Sequence, residues 1–288
     1  MPKAEAVAGP QPPRPMPELE ALCILREEKR LTVSVCLPAR DEAATVGPIV
    51  ASLRTSLATD GGLVDEIVVV DDHSTDDTAA VAKRAGATVV STADVLPAFG
   101  RGGGKGAALW KSLWVSRGDI VCWLDADVAD FDPNVVVALV APLITGAAEF
   151  AKGHYERNAG SDALGGGRVT ELTAKPLLRR FLPHLAAFPQ PLSGEYAGLR
   201  SVLEKVPFEP RWGVDLGLLA DVVGLVGHDR VAAVDLGTRN HTHRPLAELV
   251  PQADEVASVV FDRCGLRPSA EPPLPPIETL PQRAREAG

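Results

Sequence analysis

Short apolar runs alternate with stretches in which apolar residues recur at helical spacing, and this alternation predicts the architecture. Thr32 to Leu37 (TVSVCL) has the look of a buried strand that Pro38 ends. From Thr45 to Leu57, residues Val46, Ile49, Val50, Leu53 and Leu57 fall on one helical face. Glu66 to Val70 (EIVVV) predicts a second strand. Asp71 to Asp77 follows it, with Ser74 or Thr75 as the N-cap of a helix running to about Ala85. Ala87 to Ser91 reads as a third strand, a glycine-rich loop runs to Gly104, Lys105 to Ser116 reads as helix, and Ile120 to Leu124 as a fourth strand. Apolar strands alternating with amphipathic helices predict an α/β fold: a Rossmann-like, mostly parallel central sheet with helices on both faces.

The second half is less regular. Ala148 to Glu156 predicts a strand, Gly165 to Gly167 a flexible turn, and Val169 to Leu185 a helical stretch bent at Pro176. Gly213 to Leu225 reads as helix, Arg230 to Asp235 as strand and Ala253 to Cys264 as a closing helix. Residues 1–17 and 268–288 are Pro-rich and aromatic-free, and both are expected to be loose tails. No internal repeat or linker divides the rest. One domain over 18–267 is expected, with a nucleotide half at about 31–130 and an acceptor half at about 131–267.

Parallel α/β sheets bind ligands beyond the carboxyl ends of their strands. Three polar clusters fall at that rim: Pro38 to Glu42 (PARDE), Asp71-Asp72-His73, and Asp125-Ala126-Asp127 at the end of DIVCWLDAD. In extended chain Asp125 and Asp127 project from the same face. Two carboxylates so placed repel unless a cation or a shared proton offsets them. Their hard oxygens suit Mg²⁺ or Mn²⁺ and leave positions for substrate phosphates. The bland alternative is a solvated turn before the helix that Asp132-Pro133 opens.

Composition narrows the field. The 288 residues are 45% hydrophobic and 23% charged, which are globular values. Acidic residues outnumber basic ones 38 to 29, a net charge of −9, which argues against duplex nucleic acid as a partner. Cys23, Cys36, Cys122 and Cys264 form no CxxC pair and read as reduced thiols of a cytoplasmic protein. The N-terminus lacks a signal-peptide layout, and Val135 to Ala148, interrupted by Pro142 and Gly146, is too short to span a bilayer.

VSVCLPARDEAATVGPIV, VVVDDHSTDDT and WLDAD together resemble the nucleotide-sugar half of the GT-A glycosyltransferases. GGGRVTEL, PLSGEYAGLR, WGVDLGLL and DLGTRNHTHRPLAEL extend the resemblance to the retaining glucosyl-3-phosphoglycerate synthases, over roughly Leu31 to Gly265. It implies transfer of glucose from UDP-glucose to 3-phosphoglycerate with a divalent metal ion, in a homodimer. By matching position it puts Pro38, Ala39, Arg40 and Glu42 around uridine with Asp72 nearby, and Lys105 on the nucleotide or its diphosphate. Asp125, Ala126 and Asp127 flank the cation and donor, and His241 adds an imidazole ligand. Gly167, Arg168, Thr170 and Arg239 hold the acceptor, and Asp215 approaches the sugar hydroxyls. Two positions depart from the family pattern: Asp215 where Glu is expected and His243 where Asn is expected.

The chemistry of these side chains is consistent with those roles but leaves others open. A departing diphosphate needs a preorganised cation, which Asp125, Asp127 and Lys105 supply. GRGGGKG is not a nucleotide-binding Walker loop, because Gly106 follows its lysine. Lys105 alone also fits a solvated helix start, Arg168 a surface loop, and Trp212 either a sugar cover or a packing residue. His243 reads as an acceptor contact rather than a metal ligand. Competing readings are another GT-A enzyme with a mannosyl donor or lipid phosphate acceptor, a nucleotidyltransferase, and a non-catalytic sugar-nucleotide binder. No protein nucleophile other than Asp215 stands out, which favours same-face attack by the acceptor hydroxyl.

Overall fold

A computed structural model describes residues 18–158, 167–240, 245–266 and 273–280. The apolar runs form strands β1 (Val33–Ala39), β2 (Glu66–Asp71), β3 (Thr88–Ser91), β4 (Ile120–Trp123), β5 (Phe150–Asn158), β6 (Tyr196–Leu199) and β7 (Val231–Asn240). They make one sheet in the order β3-β2-β1-β4-β6-β5-β7. Among the described residues β6 alone runs antiparallel, pairing with β4 on one side and β5 on the other. The mixed, mostly parallel sheet expected from the alternation is therefore present. Because β6 is reversed, β1, β2, β4, β5 and β7 all end at the same edge.

Helices α1 (Leu19–Glu28), α2 (Val46–Ser56), α3 (Thr78–Ala85) and α5 (Asn134–Thr145) lie on one face. There Val33, Val35 and Leu37 of β1 meet Ile49, Val50 and Leu53 of α2. Helices α4 (Lys105–Val115), α6 (Lys175–Phe181), α8 (Val214–Val226) and α9 (Leu246–Arg263) cover the other, around Cys36, Trp123, Phe150 and Tyr196; the short α7 (Arg200–Leu203) follows β6. Strands buried on both faces explain the near-continuous apolar runs. Each fully buried Leu, Ile or Val there contributes about 1.5–3 kcal/mol. Cys36 and Cys122 face opposite cores and are free thiols, as are Cys23 and Cys264.

Several expectations are corrected. β1 does not stop before Pro38; it runs to Ala39, with Pro38 paired to Val70. Pairing with β4 ends at Cys36, so proline's missing N–H falls where the ladder on that side has already stopped. Neither Ser74 nor Thr75 caps α3. The Ser74 hydroxyl accepts from Asp41 N–H at 3.0 Å, and Thr75 N–H donates to Asp41 Oδ1 at 2.7 Å, lacing the first rim turn to the second. Asp76 instead takes the Thr78 N–H at 2.9 Å. The bend expected at Pro176 falls earlier, in a wide five-residue π turn over Thr170–Ala174 that leads into α6. α9 begins at Leu246 rather than Ala253, passing through Pro251. Strand β6 and helix α1 carry too little periodicity to stand out in the sequence.

The expected loose tail from 268 fails for residues 273–280. Leu274 exchanges backbone hydrogen bonds with Phe208, and Pro275 C=O accepts from the Trp110 indole at 2.9 Å. Ile277 and Leu280 are buried in the α4–α8 core. Prolines lower the entropy lost on docking, so a Pro-rich stretch with two apolar anchors can pack as a strap. Residues 1–17 and 281–288 lie outside the described residues. Ile277→Ala should lower unfolding stability by about 2–5 kcal/mol, read as a shifted urea midpoint with an unchanged slope; an unmoved midpoint would show that the strap contributes nothing.

Candidate active site

β4 hands its chain to Asp125, Ala126 and Asp127 at the common edge, with Ala126 buried and Asp127 exposed. The neighbouring α4 starts at Lys105. Strand and helix are locked to each other by the Trp123 indole, which donates to Ser112 Oγ at 2.7 Å. Across this junction Lys105 Nζ lies 2.8 Å from Asp125 Oδ1 and 3.2 Å from Asp215 Oδ1, at the first turn of α8. Only 9% of the lysine side chain is exposed. Burial opposes its charge, but the Asp125 and Asp215 carboxylates outweigh burial and keep its pKa above the ordinary value, so the ammonium stays charged.

Beneath the lysine lies a second layer that sequence reasoning did not single out. Tyr196 OH donates to Asp215 Oδ1 at 3.1 Å. Lys152 on β5, almost fully buried, donates to the Asp215 carbonyl at 2.9 Å and stands 4.2 Å over the Tyr196 ring. Glu195 is buried beside them and accepts from Ser193 Oγ at 2.9 Å. Burial pushes the Asp215 carboxyl up, with Lys105 and Lys152 opposing it. Burial also pushes Lys152 down to about 8, against the pull of Asp215 and with the push of Lys105. The signal available beforehand was the segment SGEYAGL, a carboxylate and a phenol inside an otherwise apolar stretch.

The donor set fits a hard divalent cation. Asp125 and Asp127 bring carboxylate oxygens to one strand end, and Gly194 leaves space in front of the first: a Cβ there would overlap the Asp125 carboxylate oxygens. Among the described residues no cluster of three or more His, Cys, Asp or Glu forms. The expected third ligand, His241, and the expected acceptor contact His243 lie outside the described residues. β7 ends at Asn240 on the edge that carries Asp125, and Arg239 is placed there by its backbone pairing with Arg157.

The remaining expected residues distribute around this centre. Pro38 and Ala39 end β1, with Arg40 exposed and Glu42 half-buried, its N–H donating to Thr78 Oγ1 at 2.7 Å. Asp72 is buried beside the loop that precedes α4. Its Oδ1 accepts from Thr92 Oγ1 at 2.9 Å and Gly103 N–H at 3.0 Å, and its Oδ2 from Gly104 N–H at 2.9 Å. Gly167 and the exposed Arg168 precede the π turn that buries Thr170. Trp212 stays partly exposed, its N–H donating to Glu255 at 2.7 Å.

Residues 34–189 match the model of glycosyl transferase family 2. A glucosyl-3-phosphoglycerate synthase of Mycolicibacterium smegmatis is 46% identical over 243 residues, which cover 83% of this chain and 79% of that protein. The chain belongs to the glucosyl-3-phosphoglycerate synthase family. The synthase of Mycobacterium tuberculosis, solved with Mn²⁺, UDP-glucose and phosphoglyceric acid, superposes with a TM-score of 0.84 at 39% identity, covering 92% of this chain and 96% of that one. A mannosyl-3-phosphoglycerate synthase of Rubrobacter xylanophilus superposes at 0.80 with 39% identity, covering 87% of this chain and 80% of that one. The family's GT-A sheet is the one described above, and the end of β4 is the point where its acids and lysine meet. Among the described residues no helix is long and apolar enough to cross a membrane.

Two outcomes follow for this family member. Gly194→Ala should cut turnover about 100-fold, because the added methyl displaces Asp125; turnover within about twofold of the parent would refute that crowding. For Lys152 the proton leaves at about 8 in the folded chain and at 10.5 when unfolded. The unfolded state therefore binds more protons between those values, and stability rises with pH in that window. The parent should gain up to about 3 kcal/mol on Lys152→Met between pH 8 and 10.5, measured by urea unfolding of both proteins at each pH.

Proposed function

We propose that the protein transfers glucose from UDP-glucose to 3-phosphoglycerate, with retention at the anomeric carbon and with Mg²⁺ or Mn²⁺. The observation that carries the proposal is a charged, nearly buried lysine 2.8 Å from the first of two acids at the end of β4. A divalent ion held by Asp125 and Asp127 takes negative charge off the departing diphosphate. Lys105 adds a second positive charge from a nearly buried position beside Asp125, where its charge acts more strongly than in open water. Pro38, Ala39, Arg40 and Glu42 line the nucleoside end of the site. Gly167, Arg168, Thr170, Arg239 and His243 receive the phosphorylated acceptor, and His241 completes the cation's ligands.

Asp215 belongs to the sugar end. Lys105 and Tyr196 hold its carboxylate, which leaves it to orient hydroxyls rather than attack carbon. The acceptor hydroxyl then attacks from the face the diphosphate leaves, and a leaving phosphate oxygen takes its proton. The second reading is a mannosyl donor, because the mannosyl synthase named above is as similar in sequence as the solved glucosyl one. A homodimer and a cytoplasmic location belong to the same proposal.

The deciding experiment mixes the protein and Mg²⁺ with UDP-glucose, GDP-mannose or other nucleotide sugars, with and without 3-phosphoglycerate, and measures released nucleoside diphosphate. Release with UDP-glucose that requires 3-phosphoglycerate is expected; release from GDP-mannose instead selects the second reading. Asp127→Ala should lower turnover at least about 100-fold while circular dichroism and thermal midpoint stay those of the parent. Parent-like turnover would rule out the metal assignment.

A further inference from the structure

The loop that delivers Lys105 is held by two buried side chains of opposite charge. Gly100, Gly102, Gly103 and Gly104 all have positive φ, between 94° and 138°, a run of conformations that only glycine adopts cheaply. Backbone this unusual needs outside support to persist. At its end Asp72, 5% exposed, accepts the N–H groups of Gly103 and Gly104. At its start Lys111, 1% exposed, donates to Gly100 C=O and, outside the loop, to Thr92 C=O, each at 2.6 Å. Thr92 joins the two, since its hydroxyl donates to Asp72 at 2.9 Å while its carbonyl accepts from Lys111.

We propose that Asp72 and Lys111 are a pair of positioning residues that clamp the two ends of loop 100–104 and thereby set where Lys105 meets Asp125 and Asp215. The proposal rests, for its kinetic part, on the transferase reading above. Its physical basis is the cost of burying charge. A cation with two carbonyl partners, and an anion with two amides and a hydroxyl, are each tolerated in part because the opposite charge is near enough to offset it. The clamp exploits the directions of the peptide groups: the Gly100 carbonyl at the start of the loop turns to the lysine, and the N–H groups of Gly103 and Gly104 at its end turn to the aspartate. The loop packs closely on this support at Gly102, where a Cβ would overlap Thr92 Oγ1. On the outer side Ala107 N–H donates to Pro210 C=O at 2.8 Å, which seats the first turn of α4 against the next loop.

Arg101 lies exposed inside the clamped loop and provides a position-specific readout. Lys111→Met and Asp72→Asn keep approximate shape and remove one charge each. Either single variant should speed trypsin cleavage after Arg101, identified by mass spectrometry, at least about tenfold over the parent. With UDP-glucose and 3-phosphoglycerate, kcat should fall about 100-fold, as expected for a misplaced catalytic group, while KM for 3-phosphoglycerate stays within about twofold. The double variant should lose less than the product of the two single losses, because removing both charges leaves neither uncompensated. Parent-like cleavage at Arg101 in both single variants, or strictly multiplicative losses in the double, overturns the clamp. If Lys111→Met fails to fold, Asp72→Asn alone decides through the same cleavage. If the parent itself transfers no glucose, the kinetic arm reports on the transferase reading, and cleavage after Arg101 still reports on the loop.

Discussion

One buried ammonium group organises the site: Lys105, shared between Asp125 and Asp215. Taking a lysine head out of water costs several kcal/mol unless carboxylates stand against it. Here those carboxylates come from the end of β4 and the first turn of α8, elements 90 residues apart in sequence at their charged positions. The same contact therefore ties the first half of the chain to the second. It also sets an ammonium against Asp125, the first of the two acids at the end of β4.

The rest of the architecture can be understood as support for that contact. β4 and α4 are fixed by the Trp123–Ser112 bond, so acid and lysine cannot drift relative to each other. Reversed strand β6 places Tyr196 and Glu195 below the lysine, and β5 adds Lys152 from the next position in the sheet. The far side of α4 is held by the 273–280 strap through Trp110. A helix that begins at a functional residue is thereby anchored at its start, along its inner face and on its outer face, which is the preorganisation that charge stabilisation in catalysis depends on.

The first half of this arrangement was legible because parallel strands buried on both faces leave long apolar runs, and rim clusters follow them in order. PARDE, DDHSTDD and DAD could be placed at one edge from periodicity alone. What stayed hidden depends on contacts distant in sequence. β6 is four residues long, too short for a period, and is a strand because β4 and β5 flank it. Ser74 and Thr75 look like caps locally, but Asp41, 33 and 34 residues earlier, claims them, Ser74 through its backbone N–H and Thr75 through its carboxylate. Lys152 and Lys111 look like ordinary charged residues in sequence; burial makes one a support for Asp215 and the other a loop anchor. Residues 273–280 carried the composition of a tail, and two apolar anchors outweighed it.

Asp215 illustrates how geometry restricts chemistry beyond what residue type allows. A carboxylate that attacks an anomeric carbon must be ionised and present a bare oxygen to the sugar. Here Oδ1 takes both the Tyr196 hydroxyl and Lys105, Oδ2 lies 3.3 Å from the same ammonium, and burial raises the carboxyl's pKa. Each of these contacts stabilises the charge where it is and weakens it as a nucleophile. Any movement of Asp215 away from Lys105 would also give up the contact that joins the start of α8 to the end of β4 through that ammonium. The attack that leaves this network intact is one in which the acceptor's own hydroxyl approaches from the diphosphate side.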